Sequence, residues 1–498
     1  MSLLLTLACG QHHEIDAQLW DPDIEVVGDR LYVMLPQGGA LMTLSESSEP
    51  KLVDLDGASP NRLVPVPGGE RVLVFSSWVV CQDPEIELER DCEEEDLGID
   101  YELGILSAEG LDLSIDVPGH LDGVALSPDG AFAVLYLDGP PAGSSVDRVA
   151  DLDSVFLIDL ETGDSASVTV GFAPGNILFM PNGKAAMVLS RSSAVLVDLD
   201  ELKVKVRYDL TLDADQEIDP TIAALTPDGN YGLVGISGED LLYKIDLVDP
   251  SIDLEDLDGE PTALVVDEDC DCTVVAYKSR RQVDLLFHDG FTRSALETDE
   301  RPETLVDGDG VVLAFDADGA GHDVYAIDLE TQQITEYVVA NRVSEAWVDP
   351  SGRYGVGLMM PETASWTDEV AAYADARYGL AVLELDDDEA RNLVLEGVPL
   401  ELGLIATEFT TYALVLLEDD DEALLIDLSE PQPPMIIEMA APPLKLGTLG
   451  DGRFWIAHDS PLGAVTLIDP LSPGEQVVLE DFAAVGVFPD DTLARRTP

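Results

Sequence analysis

Basic residues are what this chain has least of. Its 498 residues hold 25 Lys and Arg, seven of them Lys, against 100 Asp and Glu, for a formal charge of −75 and a pI near 4.1. So negative a surface repels phosphate backbones and anionic lipid headgroups, which excludes nucleic acid as a partner and leaves cations or basic partners. Long apolar runs are also missing. No stretch approaches the roughly 18 residues of a membrane-spanning helix, so only a lipid would tie this chain to a membrane. Local catalytic signatures are absent: there is no G-x-S-x-G elbow, no H-E-x-x-H, and no Gly-rich loop ending in Lys-Ser/Thr. The six histidines (His12, His13, His120, His288, His322, His458) are scattered. These absences exclude enzymes whose site is written in one short motif. They leave open a site assembled from many loops, and the balance leans away from an enzyme.

What is present is a repeat. Hydrophobic residues make up 46% of the chain, enough for a packed core. They recur in units of about 40 to 60 residues: an apolar stretch, a tight turn, a second apolar stretch, and a segment reading V-x-L-I-D-L. GVALSPDGAFAVLYL with SVFLIDLETG is one copy, and AALTPDGNYGLVGIS with LLYKIDLVDP is another. Ten copies begin near residues 21, 61, 121, 173, 220, 260, 301, 344, 399 and 443. The turns read Pro128-Asp129-Gly130, Pro181-Asn182-Gly183, Pro227-Asp228-Gly229 and Pro350-Ser351-Gly352. Pro presets φ, while Asp or Asn and Gly tolerate the positive φ of a tight hairpin. Four short antiparallel strands per unit, with no helical periodicity between them, predict an all-β fold: a β-propeller of about ten four-stranded blades. One large ring is favoured over two smaller ones, because no Pro/Gly/Ser linker divides the chain. Ala483 to Asp490 reads as a further first strand that pairs with the first blade to close the ring.

On these motifs the repeat resembles the bacterial YVTN-type and TolB-like propellers, in which S-P-D-G followed by V-x-V-I-D-x-x-T-G marks each blade. The likeness is sharpest over residues 121 to 247 and 300 to 360. It implies fold rather than activity, since such propellers serve as scaffolds, binding modules and occasionally enzymes.

The N-terminus, MSLLLTLACGQHHEID, resembles the tail of a bacterial lipoprotein signal, which would make Cys9 the acylated residue. Thr6 and the missing basic residue depart from that pattern. The expected organisation is a lipid-attachment remnant and tether over 1–20, a propeller over 21–491, and a tail over 492–498. Such a chain belongs outside the cytoplasm, at the outer membrane or cell surface, with a periplasmic or secreted form as alternatives. The other four cysteines fit an oxidising compartment. Cys81 and Cys92 flank one acidic loop and can close it. Cys270 and Cys272 are two apart, and bridging them needs a kinked turn.

Three insertions fall between the second and third strands of their units: Cys81 to Asp100, Gly139 to Asp151, and Pro361 to Gly379. All three emerge on one face of a propeller, which makes that face the expected binding face for a protein, glycan or cation; neutral loop lengthening is the alternative. The first insertion concentrates acidic residues, Glu93, Glu94 and Glu95 among them. The third suggests a short helix capped by Thr367 and offers Trp366, Tyr373 and Tyr378 to a partner. Asp307 with Asp309, and Asp316, Asp318 with Asp323, set alternating carboxylates on Gly-rich turns that suit Ca²⁺, although one acidic residue in five produces such strings by chance. An Asp also recurs at the end of the third strand (Asp159, Asp198, Asp246, Asp328, Asp427, Asp469). It reads either as a ring of cation ligands or, preferred here, as caps on the following turn. The alternative function is a lactonase-like hydrolase with a metal or carboxylate site at the central channel. The acidity itself reads as adaptation to a saline habitat or as specific cation binding.

Overall fold

A computed structural model describes residues 23–482, except 29, 36–39, 47, 56–58, 82–96, 138–151, 212–217, 219, 320, 363–375, 388, 419–420, 431, 440, 461–462 and 481. Among the described residues forty strands, numbered β1 to β40 in chain order, form ten four-stranded antiparallel sheets, each made of four consecutive strands. The blades span residues 23–53, 59–117, 123–169, 177–209, 220–256, 261–297, 304–338, 343–394, 399–438 and 443–480. First strands of neighbouring blades touch, so they line the centre of the disc. Second and third strands are buried on both faces, and fourth strands alternate between half-buried and exposed at the rim.

No blade has a core of its own. Successive residues of a strand point to opposite faces, so each blade divides its apolar side chains between two neighbours. In blade 3, Ala133, Leu135, Phe156 and Ile158 pack against blade 2, whereas Phe132, Val134, Val155 and Leu157 pack against blade 4. Each of the ten seams carries such a cluster. The tenth joins Leu449, Trp455, Val465 and Leu467 of blade 10 to Ile24, Leu31, Val33 and Met42 of blade 1, and it closes one ring. Arg453 adds an ion pair to Glu46 across that seam, at 2.8 Å. Blade 1 thus supplies its own four strands, and closure comes from face-to-face packing. The expected closing strand, Ala483 to Asp490, lies outside the described residues.

The turns follow from their residues. Gly130, Gly183, Gly229 and Gly352 sit at φ of +67°, +68°, +69° and +68°, where a side chain is strained. Each recurrent Asp of the third strand accepts amide hydrogens of the next turn: Asp159 from Glu161 and Thr162, Asp198 from Glu201, Asp246 from Val248 and Asp249, Asp328 from Thr331, Asp427 from Ser429, and Asp469 from Leu471. They are turn caps. In blade 6 the kink required of a Cys-x-Cys bridge is present. Cys270 and Cys272 are bonded across Asp271, which lies at φ +48°, with Cα atoms 5.2 Å apart. His288 holds the Asp271 carboxylate at 2.9 Å.

A feature the sequence reading missed is a bulge that opens six first strands. The register slips between Pro60 and Arg62, Pro220 and Ile222, Pro261 and Ala263, Val343 and Glu345, Pro399 and Glu401, and Pro443 and Lys445. Pro donates no hydrogen bond, so it is tolerated where the strand is an inner edge and already bulged. A bulge also re-aims the residue that follows it.

Candidate functional site

Connections between second and third strands share one face of the disc with the links between blades, and the described strands that flank the three insertions end on that face. Blade 2 departs furthest. Its strands β6 (Arg71–Cys81) and β7 (Leu97–Ser107) have 11 residues each and stay paired out to Cys81 opposite Leu97, whereas the matching strands elsewhere have 5 to 7. The first insertion is therefore shorter than expected: Cys81 and Leu97–Asp100 belong to a hairpin that stands about 15 Å beyond its neighbours. Residues 82–96, with Cys92, Glu93, Glu94 and Glu95, lie outside the described residues. So do Cys9, the second insertion, Trp366 and Tyr373. The predicted helix of the third insertion falls there too, except its end: Gly379 opens strand β31 (Gly379–Glu384). Tyr378 packs on the core between blades 8 and 9 instead of standing free.

At the root of the blade 2 hairpin is a groove of about 320 Å³ whose wall includes Arg62, Phe75, Tyr101, Glu102 and His120. Arg62 is the residue re-aimed by the bulge. Its guanidinium lies 5.7 Å from the Phe75 ring centre and donates to the Asp122 carbonyl of the link to blade 3. Tyr101 and His120 face each other with ring centres 5.8 Å apart. Aromatic rings beside a cation, an acid and an imidazole form a surface that both stacks and hydrogen-bonds. The root of the third insertion is tied down as well, since Glu362 binds His322 at 2.9 Å and the Arg342 amide at 3.1 Å.

The two acidic strings proposed for Ca²⁺ do not meet. Asp307 and Asp309 precede strand β26 (Val311–Phe315), and Asp316, Asp318 and Asp323 follow it, on opposite faces of the disc. Asp316 caps its own turn through the Gly319 amide at 2.6 Å, and Asp323 receives the Tyr325 hydroxyl at 3.2 Å. Burial and then the nearby Asp267 push the Asp307 carboxyl above its ordinary range. On the turn face, Asp267, Asp269, Asp309, Asp328, Glu330 and Asp386 border a basin of about 590 Å³. Among the described residues, no group of three or more His, Cys, Asp or Glu is arranged to hold a metal ion.

A recess of about 410 Å³ also lies on the channel wall at the seam between blades 10 and 1. Asp23, Glu25, Glu401 and Lys445 meet there beside the indole of Trp455. Asp23 accepts the Leu63 amide at 2.7 Å, and Glu401 accepts the Leu446 amide, so both carboxylates also staple neighbouring blades. Burial foremost, then the adjacent Asp23, raise the Glu25 carboxyl to about 7 against the opposing pull of Lys445.

No family model and no curated protein matches this chain. Among solved structures it is similar to the dihydro-heme d1 dehydrogenase NirN in complex with DHE, at 18% identity over 66% of this chain and 71% of that one, with a TM-score of 0.40. It is similar also to a streptogramin B lyase (14% identity, 59% and 89% covered, TM-score 0.31) and to a eukaryotic initiation factor (11%, 76% and 93%, TM-score 0.49). The likeness concerns the propeller fold, and these neighbours have varied functions.

Proposed function

We propose that this is an exported binding protein that receives a protein or glycan on the face carrying its insertions. The observation that carries this reading is the lengthened β6–β7 hairpin, with an aromatic and polar groove at its root. The charge of −75 selects neutral or basic partners. The Cys270–Cys272 bond supports an oxidising compartment, and acylation of Cys9 would hold the protein at an outer-membrane or cell surface. The hydrolase alternative asks for carboxylates and histidine converging at the channel. Its described recess gathers Asp23, Glu25 and Glu401 around Lys445 with no His on its wall, which favours binding over hydrolysis.

The test is a variant in which residues 82–96 are replaced by Asn-Gly, a pair suited to a two-residue hairpin turn. It is compared with the parent and with Tyr101→Ala on a glycan array and in cross-linking to envelope proteins. Binding by the parent that falls at least tenfold in both variants supports the reading. Undiminished binding by the shortened variant overturns it. Ca²⁺ is proposed as an additional ligand of the acidic surface. Unfolding in millimolar CaCl₂ should then occur at higher temperature than in NaCl of matched ionic strength, because a ligand of the folded state stabilises it by mass action. Coincident curves would remove Ca²⁺ from the proposal.

A further inference from the structure

The groove at the root of the blade 2 hairpin carries polar groups that the fold does not use. Elsewhere on this face such groups are tied to the chain: Glu362 holds His322 and the Arg342 amide, Glu260 accepts the Gly238 amide, and Glu303 accepts the Ser279 amide. Among the described residues, the Tyr101 hydroxyl, the Glu102 carboxylate and the His120 ring nitrogens make no hydrogen bond. Tyr101 and Glu102 are half-buried and His120 is exposed, so a ligand reaches all three. They line the groove beside apolar wall from the buried Phe75 and Val117. The Tyr101 and His120 rings are inclined at 44°, an open notch rather than a closed stack. Arg62, lying over Phe75, sets a positive charge in the same groove as Glu102.

We propose that this groove takes a neutral hexose unit of a glycan. The inference rests on the binding function proposed above and narrows its ligand from protein or glycan to uncharged sugar. A pyranose ring has an apolar C–H face and a rim of hydroxyls, each of which both donates and accepts. Its C–H face lies on the Tyr101 ring, and its hydroxyls meet the Glu102 carboxylate, Tyr101 Oη and the Arg62 guanidinium. An acidic sugar is opposed by Glu102 and by the charge of −75, and an amino sugar by Arg62. A purely apolar side chain would cover Tyr101 Oη and Glu102 without giving them partners, and a site built of such groups rejects it. At about 320 Å³ the groove is at the small end of ligand pockets, which suits one sugar unit.

The probes are the methyl glycosides of glucose, galactose and mannose, with sodium glucuronate and glucosamine hydrochloride as charged controls. Binding is read by calorimetry and saturation-transfer NMR at matched ionic strength. At least one neutral glycoside should bind saturably, in the millimolar range of a single small unit, and at least tenfold more tightly than either control. Tyr101→Phe keeps the ring and removes the hydroxyl, and should weaken that glycoside at least threefold. Glu102→Gln keeps the size and removes the charge, and should bring glucuronate to within threefold of the neutral glycoside, a change of preference that a structural role would not produce. Glu102 has no hydrogen bond among the described residues to lose, so this variant carries the test if Tyr101→Phe does not fold. Lack of saturable binding by all three neutral glycosides overturns the inference, as does equal binding of glucuronate by the parent or unchanged affinities in both variants. If the glycosides fail while cross-linking to an envelope protein is lost in Tyr101→Ala, the sugar falls and the binding function stands. If they bind while the variant shortened at residues 82–96 captures its larger partner undiminished, the sugar stands and the role of the insertion falls.

Discussion

The two faces of the disc are joined to the same forty strands and differ in how much their connections repeat. On the turn face, blade after blade uses a Gly near φ +68° and an Asp that caps the adjacent turn. On the opposite face, the connection between second and third strands runs from the three residues between β14 (Ala185–Leu189) and β15 (Ser193–Asp198) to the tall hairpin of blade 2. Repetition records what a blade needs to close its own hairpins. A departure that no hairpin needs is free to serve a ligand. An Asp that recurs in six blades of an acidic ring is therefore weaker evidence of function than a single Tyr101 beside a single His120.

That contrast breaks hardest at Asp349, a 2%-exposed member of the turn face. One of its oxygens accepts the amides of Arg353 at 2.8 Å and Tyr354 at 2.7 Å. The other accepts the hydroxyls of Ser351 and, from blade 9, of Thr411 at 2.6 Å. Asp349→Ala leaves the Tyr354 amide and the Thr411 hydroxyl buried and unmet, and should lower stability by on the order of 3 kcal/mol, read as a fall in the urea midpoint. Burial alone would raise this carboxyl, but hydrogen bonds from Ser351, Thr411 and Tyr354 outweigh it and hold the group below its ordinary value of 3.8. A depressed folded-state value means that the stabilisation is fully present above pH 3.8 and is lost as pH falls through the folded-state value. The gap between parent and variant should be constant from neutral pH to about pH 5 and narrow in acid. A gap that widens in acid would reverse the assignment.

The blades were legible because their signal is local. Pro-Asp-Gly turns and the V-x-L-I-D-L segment place each hairpin within a few residues of its own motif, and the ten starts read from the sequence fall close to the ten first strands. Thr411 reaching Asp349 from 62 residues away has no local signature, nor has the meeting of Glu25 with Lys445 across the closing seam. The groove was hidden for the same reason: Arg62, Tyr101 and His120 come from a first strand, a third strand and the link to blade 3, and gain meaning only when these stack. One signal for the tall hairpin does lie in the sequence. Val79, Val80 and Ile99 extend the apolar pattern of β6 and β7 past the length of a blade strand, which marks a longer hairpin. The recurrent Pro one or two residues into a unit likewise announces the bulge that re-aims Arg62 and Lys445.

A smaller effect is expected from a single turn cap. Asp246→Ala removes the acceptor for the Val248 and Asp249 amides at 2.9 and 2.8 Å. Both amides lie on exposed backbone where water can replace the carboxylate, so the loss should be about 1 kcal/mol. Asp349 and Asp246 serve the same purpose on the same face, and their difference measures burial. Equal losses in the two variants would show that the link between blades at Thr411 adds nothing.

The smallest effect on stability should come from the largest change in sequence. Replacing residues 82–96 by Asn-Gly shortens the closed loop and touches neither the seam cluster of Val72 and Val74 with blade 1 nor that of Leu73 and Phe75 with blade 3. Loop-closure entropy depends only weakly on length, so the urea midpoint should move by less than about 0.5 kcal/mol equivalent, upward if at all. Losing the hydrogen bonds of one Asp349 carboxylate would then unsettle the ring while losing fifteen residues of the insertion would leave it intact. That pairing of unchanged stability with lost ligand binding is what separates a functional departure from a structural one. A shortened variant that melts as early as Asp349→Ala would instead make the insertion part of the scaffold, and the face it stands on would lose its claim to be the binding face.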